Sequence, residues 1–235
     1  MTSEKGLARI AGSLYLVVAV LGGFAQLYVR DRLVDLGDPG ATAANIRESA
    51  TLFRAGFAAD LVQATFFLFT AMALYLLLRH VNELVARAMV VFVAVSVAIM
   101  CLNLLNQLVA LRIATADGYA GAFGGSNELT GLFAGMHHDG YLIAQIFFGV
   151  WLAPLGYLVV KSGWFPKALG VLLIVGCFGY LVDTFAQLLA PSIANGVEAF
   201  VLAPAAIGEL TFVGWLLVKG VPARERDELV PALAA

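Results

Sequence analysis

Two carboxylic acids inside apolar stretches are the residues of this sequence best suited to chemistry. Asp183 and Glu209 each lie in a long apolar stretch, and no Lys or Arg is found at the same depth in the other stretches. A carboxylate in hydrocarbon costs about 2.5 kcal/mol or more unless it is protonated, paired or hydrated. Each acid therefore carries a proton, shares one with another acid, or faces water or a bound cation. We take Asp183 and Glu209 as the central groups of a candidate ligand site.

Amide side chains recur at the depth of Asp183 in four other apolar stretches. Each lies about 16 residues from the basic residue at one end of its stretch, as Gln63 does from Arg79. At about 1.5 Å per residue, that separation is roughly 24 Å along a helix. Amides in membrane helices often do no more than hydrogen-bond to neighbouring helices, so a purely structural role stays open. The side chains predicted to form one inward-facing polar layer are Gln26, Gln63, Asn103, Gln145 and Asp183.

Other polar residues lie on either side of this layer. Asp60 and His138 are farther from the basic end of their stretches, whereas Glu209 lies about 15 Å from its basic neighbour, near the bilayer midplane. We therefore predict a polar funnel that opens at one end of the bundle and has Glu209 as its floor. The predicted ligand-binding residues are Asp183, Glu209, Gln26, Gln63, Asn103, Gln145, Asp60 and His138.

The consecutive residues His137, His138 and Asp139 suggest a second kind of site. Adjacent helical residues point about 100° apart, so the two histidines do not readily hold one metal ion. His138 could instead join a carboxylate from another helix, either as a metal ligand or as one half of an acid and base pair. The sequence identifies no cofactor. If a metal ion binds, its candidate ligands are His138, Asp139, Asp183 and Glu209.

The composition shows which kind of element must position these residues. Of the 235 residues, 61% are apolar and 13% are charged, and the mean hydropathy is +0.90. Soluble domains are roughly half apolar and a quarter charged, so this chain belongs in a lipid bilayer. The net charge is −2, and no Lys- or Arg-rich run is interleaved with aromatic residues. Nucleic acid is therefore excluded as a partner.

Six stretches have the length of about 20 apolar residues that a membrane-spanning helix needs. We predict an all-α polytopic membrane protein, with a six-helix domain over residues 1–220 and a tail over 221–235. A weak repeat of Gln-Leu pairs at the ends of the odd-numbered stretches suggests three related helical hairpins. The first stretch could instead be a cleaved secretory signal, although its length favours a retained span. The predicted spans are about 7–29, 56–78, 86–112, 131–160, 166–190 and 197–218.

The distribution of Lys and Arg predicts the orientation. Basic residues at the side that carries both termini, Arg224 and Arg226 of the tail included, outnumber those at the other side. Because the side richer in Lys and Arg stays in the cytoplasm, both termini are predicted to be cytoplasmic and the funnel to open outward. In the first outer loop, Asp38 and Pro39 are typical of the start of a short helix. The basic residues of the outer side are Arg30, Arg32, Arg47, Arg54 and Arg112.

Several motifs together resemble a known family. They include ARIAG at 8–12, LFRAG at 52–56, GYLIAQIFFG at 140–149, PLGYL at 154–158, YLVD at 180–183 and IGEL at 207–210. These motifs, which are spread over nearly the whole chain, are similar to those of a family of bacterial multi-pass membrane proteins catalogued only as a domain of unknown function. The resemblance implies a protein of the bacterial inner membrane. It brings no activity, substrate or catalytic residue.

Three functions are compatible with these residues. The first is a membrane protein whose outward-open polar cavity binds a small ligand, cation or proton, for transport or sensing. The second is an intramembrane enzyme that acts on a lipid or lipid-linked substrate through His138 and a carboxylate. The third is an assembly subunit in which the polar layer only fixes helix register. No Gly-x-Ser-x-Gly, P-loop or His-Glu-x-x-His motif occurs, which disfavours the enzyme.

Overall fold

The computed structural model describes residues 3–123 and 126–222, with the backbone alone at 119, 120, 193, 195 and 197. Most of the predicted tail, with Arg224 and Arg226, lies outside the described residues. The described part of the chain is built from helices. They are α1 (Glu4–Gly23), a π-helical segment (Phe24–Arg30), α2 (Asp31–Leu33), α3 (Pro39–Glu48), α4 (Ala50–Leu78), α5 (Glu83–Thr115), a 3-10 segment (Gly118–Phe123), α6 (Asn127–Val150), α7 (Leu152–Ser162), α8 (Lys167–Leu189) and α9 (Pro191–Val218).

Six of these helical stretches are long and apolar enough to cross a membrane, which confirms the predicted all-α fold with six spans. The first four spans run a few residues past at least one predicted end because helices continue into the polar interface, where apolar composition no longer marks them. The fifth and sixth spans lie within one residue of their predicted ends. The first to sixth spans are Glu4–Leu33, Ala50–Leu78, Glu83–Thr115, Asn127–Ser162, Lys167–Leu189 and Glu198–Val218.

Local sequence signals account for several of the helix ends. The side chains of Ser3, Asp38, Asn82 and Ser126 each accept a hydrogen bond from a backbone N–H in the first turn of the following helix. Such caps satisfy donors that have no partner within the helix. At the C-terminal end of α7, Gly163 adopts a positive φ of 71°, which a residue without a side chain tolerates best.

Two spans depart from regular α-helix. The fourth span is interrupted between α6 and α7 at Trp151, three residues before Pro154, whose ring cannot donate the usual backbone bond. The first span changes to a π-helix over Phe24–Arg30 and then continues to Leu33. Wider π-helical turns alter which residues share a helix face and are common at functional sites.

The spans pack in chain order and close into a ring. Each span contacts the next one along the chain, and α9 of the sixth span packs on α1 of the first. We call the end of the bundle with α3 and the 3-10 segment Gly118–Phe123 the loop end, and the end with turns 79–82 and 163–166 the turn end. Helix α3, which the sequence predicted, packs against α5 and α6 at the loop end and buries Ile46.

Both the interior and the exterior of the bundle are apolar, as a membrane protein requires. A continuous apolar core, which includes the fully buried Leu74, Trp151 and Leu173, fills the centre. On the outside, large apolar side chains such as Leu102 (69% exposed) and Phe178 (61% exposed) have no protein cover. An apolar exterior over six long helices is stable only where lipid replaces water. The chain is therefore an integral membrane protein.

Candidate functional site

A cavity of about 330 Å³ lies at the loop end, enclosed by spans from both halves of the chain. Its wall comes from the end of the first span and the segment that follows it, and from the second, third, fourth, fifth and sixth spans. The lining residues are Gln26, Arg30, Asp31, Val34, Leu36, Phe53, Gln107, Ala134, His137, His138, Tyr141, Leu142, Gln145, Gln187 and Glu198. Polar side chains therefore face apolar ones across one space.

An ion pair between Arg30 and Asp60 joins the first and second spans beside this cavity. The two side chains are only 11% and 6% exposed. Arg30 also donates from Nε to Oε1 of Gln26 at 2.8 Å, and its guanidinium carbon lies 6.0 Å from the centroid of the Tyr141 ring. The Arg30 charge is therefore compensated by a carboxylate and an amide oxygen within the protein.

Sequence analysis assigned Arg30 to the outer side as an orientation signal and did not place it in the site. The π-helical segment carries the first span past its predicted end and keeps Arg30 within the bundle. A usable signal was the spacing of Gln26 and Arg30, which are one turn apart and can hydrogen-bond. Hydropathy treats an arginine near the end of a span as a boundary, so it does not reveal that Asp60 lies opposite.

Asp183 holds two glutamines of the cavity wall in a fixed orientation. Its Oδ2 accepts hydrogen bonds from Nε2 of Gln145 at 2.6 Å and from Nε2 of Gln187 at 3.0 Å. Asp183 is 3% exposed and its other carboxylate oxygen, Oδ1, has no partner among the described residues. Because this carboxylate oxygen accepts from both amide nitrogens, each glutamine keeps its carbonyl oxygen for the cavity.

Gln107, in the third span, is the most unusual residue of the wall. It is 2% exposed and lines the cavity, yet neither its amide nitrogen nor its amide oxygen has a hydrogen-bond partner in the described part of the chain. Sequence analysis did not include Gln107 or Gln187 among the candidate residues. Their depth was visible in the residue count, but which amides would be paired depends on helix rotation, and that is a tertiary property.

Two of the predicted amides lie outside the cavity wall. Asn103 donates from Nδ2 to the backbone oxygen of His137 at 2.7 Å and packs against Gly140, so it ties the third span to the fourth. Gln63 lies against Gly22 of the first span, where a methyl group on the glycine would be 3.3 Å from the amide. These contacts are helix-to-helix contacts of the kind that amides make within bilayers.

Glu209 lies apart from the cavity lining. Its carboxylate accepts hydrogen bonds from the hydroxyl of Tyr15 and from the hydroxyl of Tyr180, the latter at 3.0 Å. These three residues belong to the first, fifth and sixth spans, so the acid links three helices. The hydropathy argument found Glu209 but not its partners, because a tyrosine in a span counts as apolar although its hydroxyl is a donor.

The structure separates Asp139 from the two histidines of the predicted histidine site. His137 and His138 line the cavity, whereas Asp139 is exposed and does not. Within residues 3–123 and 126–222, no group of three His, Cys, Asp or Glu side chains is arranged to hold a metal ion. Of the predicted ligand-binding residues, the cavity wall thus contains Gln26, Gln145 and His138 directly, while Asp60 and Asp183 contact it through Arg30 and the two glutamines.

Six apolar spans with a mixed polar and apolar cavity at one end define a polytopic membrane protein. The chain belongs to the family described as "Domain of unknown function (DUF4386)", which matches residues 10–220. This match confirms the resemblance to an uncharacterised multi-pass membrane family. An "Uncharacterized protein" of Archaeoglobus fulgidus is 30% identical over 160 residues, which are 68% of this chain and 78% of that protein. No solved structure matches the chain.

Proposed function

We propose that this membrane protein binds a small polar ligand in the cavity at the loop end, as the recognition step of transport or sensing. The observation that carries the proposal is Gln107, whose amide is buried in the cavity wall without a partner among the described residues. A buried polar group without a hydrogen bond costs about 1–3 kcal/mol. An assembly subunit would gain stability from an apolar residue there, whereas a ligand-binding protein needs the free amide.

The dimensions and lining of the cavity support a small-molecule ligand. Its volume of about 330 Å³ lies at the lower end of the range of roughly 300–1,000 Å³ found for ligand pockets. Apolar side chains such as Phe53 and Leu142 line it together with polar ones such as Gln107 and Gln145. A ligand with both an apolar and a polar part would contact both kinds of side chain.

The orientation of the cavity follows from the basic residues. Lys and Arg are more frequent at the side of the turn end, which supports a cytoplasmic location for that end. Both termini are then cytoplasmic, and the cavity opens to the outside. Between the cavity and the cytoplasm lies the apolar core around Leu74, Trp151 and Phe212. Transport would therefore require the spans to rearrange, whereas sensing would require only a change in their packing.

Cysteine accessibility tests the proposal. Ala134 lines the cavity and is 7% exposed, whereas Ala71 is fully buried in the core. Each is changed to Cys in a background without Cys101 and Cys177. Both variants are then treated, in intact cells, with the membrane-impermeant cationic thiol reagent MTSET. We expect modification of Ala134→Cys and none of Ala71→Cys.

A Ser162→Cys variant reports on the opposite side of the membrane, because Ser162 ends the fourth span at the turn end. It should react with MTSET only after the cells are opened. Reaction of Ser162→Cys but not of Ala134→Cys in intact cells would reverse the orientation. Protection of Ala134→Cys from the reagent on both sides of the membrane would contradict the cavity as a ligand site.

A further inference from the structure

Among the Lys, Arg, Asp and Glu side chains that line the cavity, the carboxylates of Asp31 and Glu198 outnumber the guanidinium of Arg30, and His137, His138 and Tyr141 also line it. Arg30 is the one Lys or Arg among the lining residues, and its Nη1 and Nε already donate to Asp60 and Gln26. Nε2 of Gln26 in turn donates to Oδ1 of Asp31 at 3.0 Å. Arg30 and Gln26 therefore direct these donors to acceptors within the protein.

The acceptors come from four different spans. Asp183 accepts from the amide nitrogens of Gln145 and Gln187, which leaves their carbonyl oxygens free to accept from a ligand. Two further carboxylates, those of Asp31 and Glu198, line the cavity from the first and the sixth span. Since Arg30 is neutralised by Asp60, the carboxylates of Asp31 and Glu198 leave the wall with an excess of negative charge.

From this arrangement we infer that the ligand carries an ammonium group with N–H donors, bound by Asp31, Glu198 and the carbonyl oxygens of Gln145 and Gln187. This inference rests on the proposed function and specifies its ligand class. Gln107, with an unpartnered amide, binds a second polar group of the ligand. Phe53 and Leu142 contact its hydrocarbon part.

An ammonium group of this kind can come from two sources. One is a free amine in the water outside the membrane. The other is the head group of a membrane amphiphile. The sixth span packs on Glu4–Gly23 of the first span, on the turn-end side of the cavity. Nearer the loop end, the same two spans line the cavity with Gln26, Asp31 and Glu198. In both cases the cavity wall recognises the same group, an ammonium with N–H donors.

Thermal unfolding of the purified full chain in a nonionic detergent tests the inference. Butylammonium, butyrate and 1-butanol are added at equal concentration and ionic strength. Lysophosphatidylethanolamine and lysophosphatidylglycerol are compared in a second arm, because only the former carries an ammonium group. We expect butylammonium or lysophosphatidylethanolamine to raise the Tm in a saturable way, while the matched anion, alcohol and lysophosphatidylglycerol do not.

The variant for this test is Asp31→Asn with Glu198→Gln, which removes the two carboxylates that line the cavity. Both side chains are exposed, so folding should be unaffected. The matched control is Glu48→Gln with Glu128→Gln, which removes two exposed carboxylates at the same end but outside the cavity wall. We expect the first variant to weaken ammonium binding by about tenfold or more and the control to leave it within about twofold.

The outcomes separate the inference from the proposed function. Stabilisation by butylammonium identifies a free amine, and stabilisation by lysophosphatidylethanolamine alone identifies an amphiphile. Stabilisation by butyrate or 1-butanol equal to that by butylammonium would overturn the ammonium site but keep the cavity as a binding site. No stabilisation by any probe, with Ala134→Cys accessible, would also overturn the ammonium site alone. No stabilisation with Ala134→Cys protected would overturn both.

Discussion

The two ends of the bundle hold their helices together by different means. At the turn end the backbones approach closely, and a methyl group on Gly156 would lie 2.7 Å from Cγ1 of Ile174. In the core next to this end, the Trp151 ring packs edge-on against Phe67 at 5.1 Å between centroids. At the loop end, side-chain hydrogen bonds join the spans, as from Gln145 to Asp183.

This difference explains where a cavity can exist. Lipid does not drive helices together as water does, so spans associate by close packing or by polar contacts. Close packing of small residues leaves no volume for a ligand. Polar contacts between long side chains keep the helices apart and still tie them to one another. The loop end therefore combines a defined structure with open space, and the turn end serves as the rigid base.

The largest expected effect is on the polar contacts of the loop end. Arg30→Met leaves the carboxylate of Asp60 buried without its partner, which should destabilise the protein by about 3–5 kcal/mol. Arg54→Met is the matched control, because the Arg54 and Asp117 side chains are each 52% exposed. It should cost less than about 1 kcal/mol. Reversible unfolding in detergent or bicelles measures both.

A double variant sharpens this comparison. Arg30→Met with Asp60→Asn removes both charges, so it should be clearly more stable than Arg30→Met alone. Equal destabilisation by Arg30→Met and by Arg54→Met would show that the loop end does not depend on its buried ion pair.

The next effect is on the close packing of the turn end. Gly156→Val places side-chain atoms against the backbone of Gly170 and against Ile174, and we expect a loss of about 2–3 kcal/mol. Gly214→Val is the control, since a methyl group on Gly214 meets nothing within 4 Å. Expression and Tm of the two variants, measured together, provide the comparison. A tolerated Gly156→Val would mean that the turn end is not the rigid part.

Sequence reasoning succeeded for properties that depend on residues close together in the chain. Apolar runs of sufficient length predicted all six spans, and Asp38 with Pro39 predicted the start of α3. The break in the fourth span at Trp151 lies three residues before Pro154, a residue type that interrupts helices. These features depend on neighbouring residues, on backbone chemistry and on transfer to lipid, so no knowledge of the tertiary arrangement is needed.

The site was predicted only in part because its contacts depend on helix rotation. Residue counting gave the depth of Asp60, Asp183 and Glu209 but not what each faces. Arg30 was counted as a boundary residue because the π-helical segment, which keeps it inside, has no clear sequence signal. Tyr15 was overlooked because its hydroxyl has little weight in the hydropathy of an apolar span. The orientation of the chain stays a prediction.

A smaller effect is expected at Glu209, which lies between the two ends. Glu209→Leu removes the acceptor for the hydroxyls of Tyr15 and Tyr180, and we expect a loss of about 2 kcal/mol. Glu209→Gln keeps an oxygen for one hydroxyl and an amide that can donate to the other, so it should cost less than about 1 kcal/mol. Thermal unfolding of both variants beside the wild type measures the difference. Equal losses would indicate that the carboxylate charge, not hydrogen bonding, holds the three spans.

The smallest expected effect has the opposite sign and bears most directly on the role of the cavity. Gln107→Leu replaces a buried amide that has no partner by an apolar side chain of similar size. The empty protein should therefore gain about 1 kcal/mol of stability, visible as a higher Tm. The same variant should lose most of its stabilisation by an ammonium probe that carries a second polar group, such as ethanolamine. Asn103→Leu is the contrast, because its amide is bonded to the backbone of His137 and its loss should destabilise the protein. A lower Tm for Gln107→Leu, with ethanolamine binding unchanged, would show that this amide supports the packing of the third span, and it would remove the main support for a ligand site at the loop end.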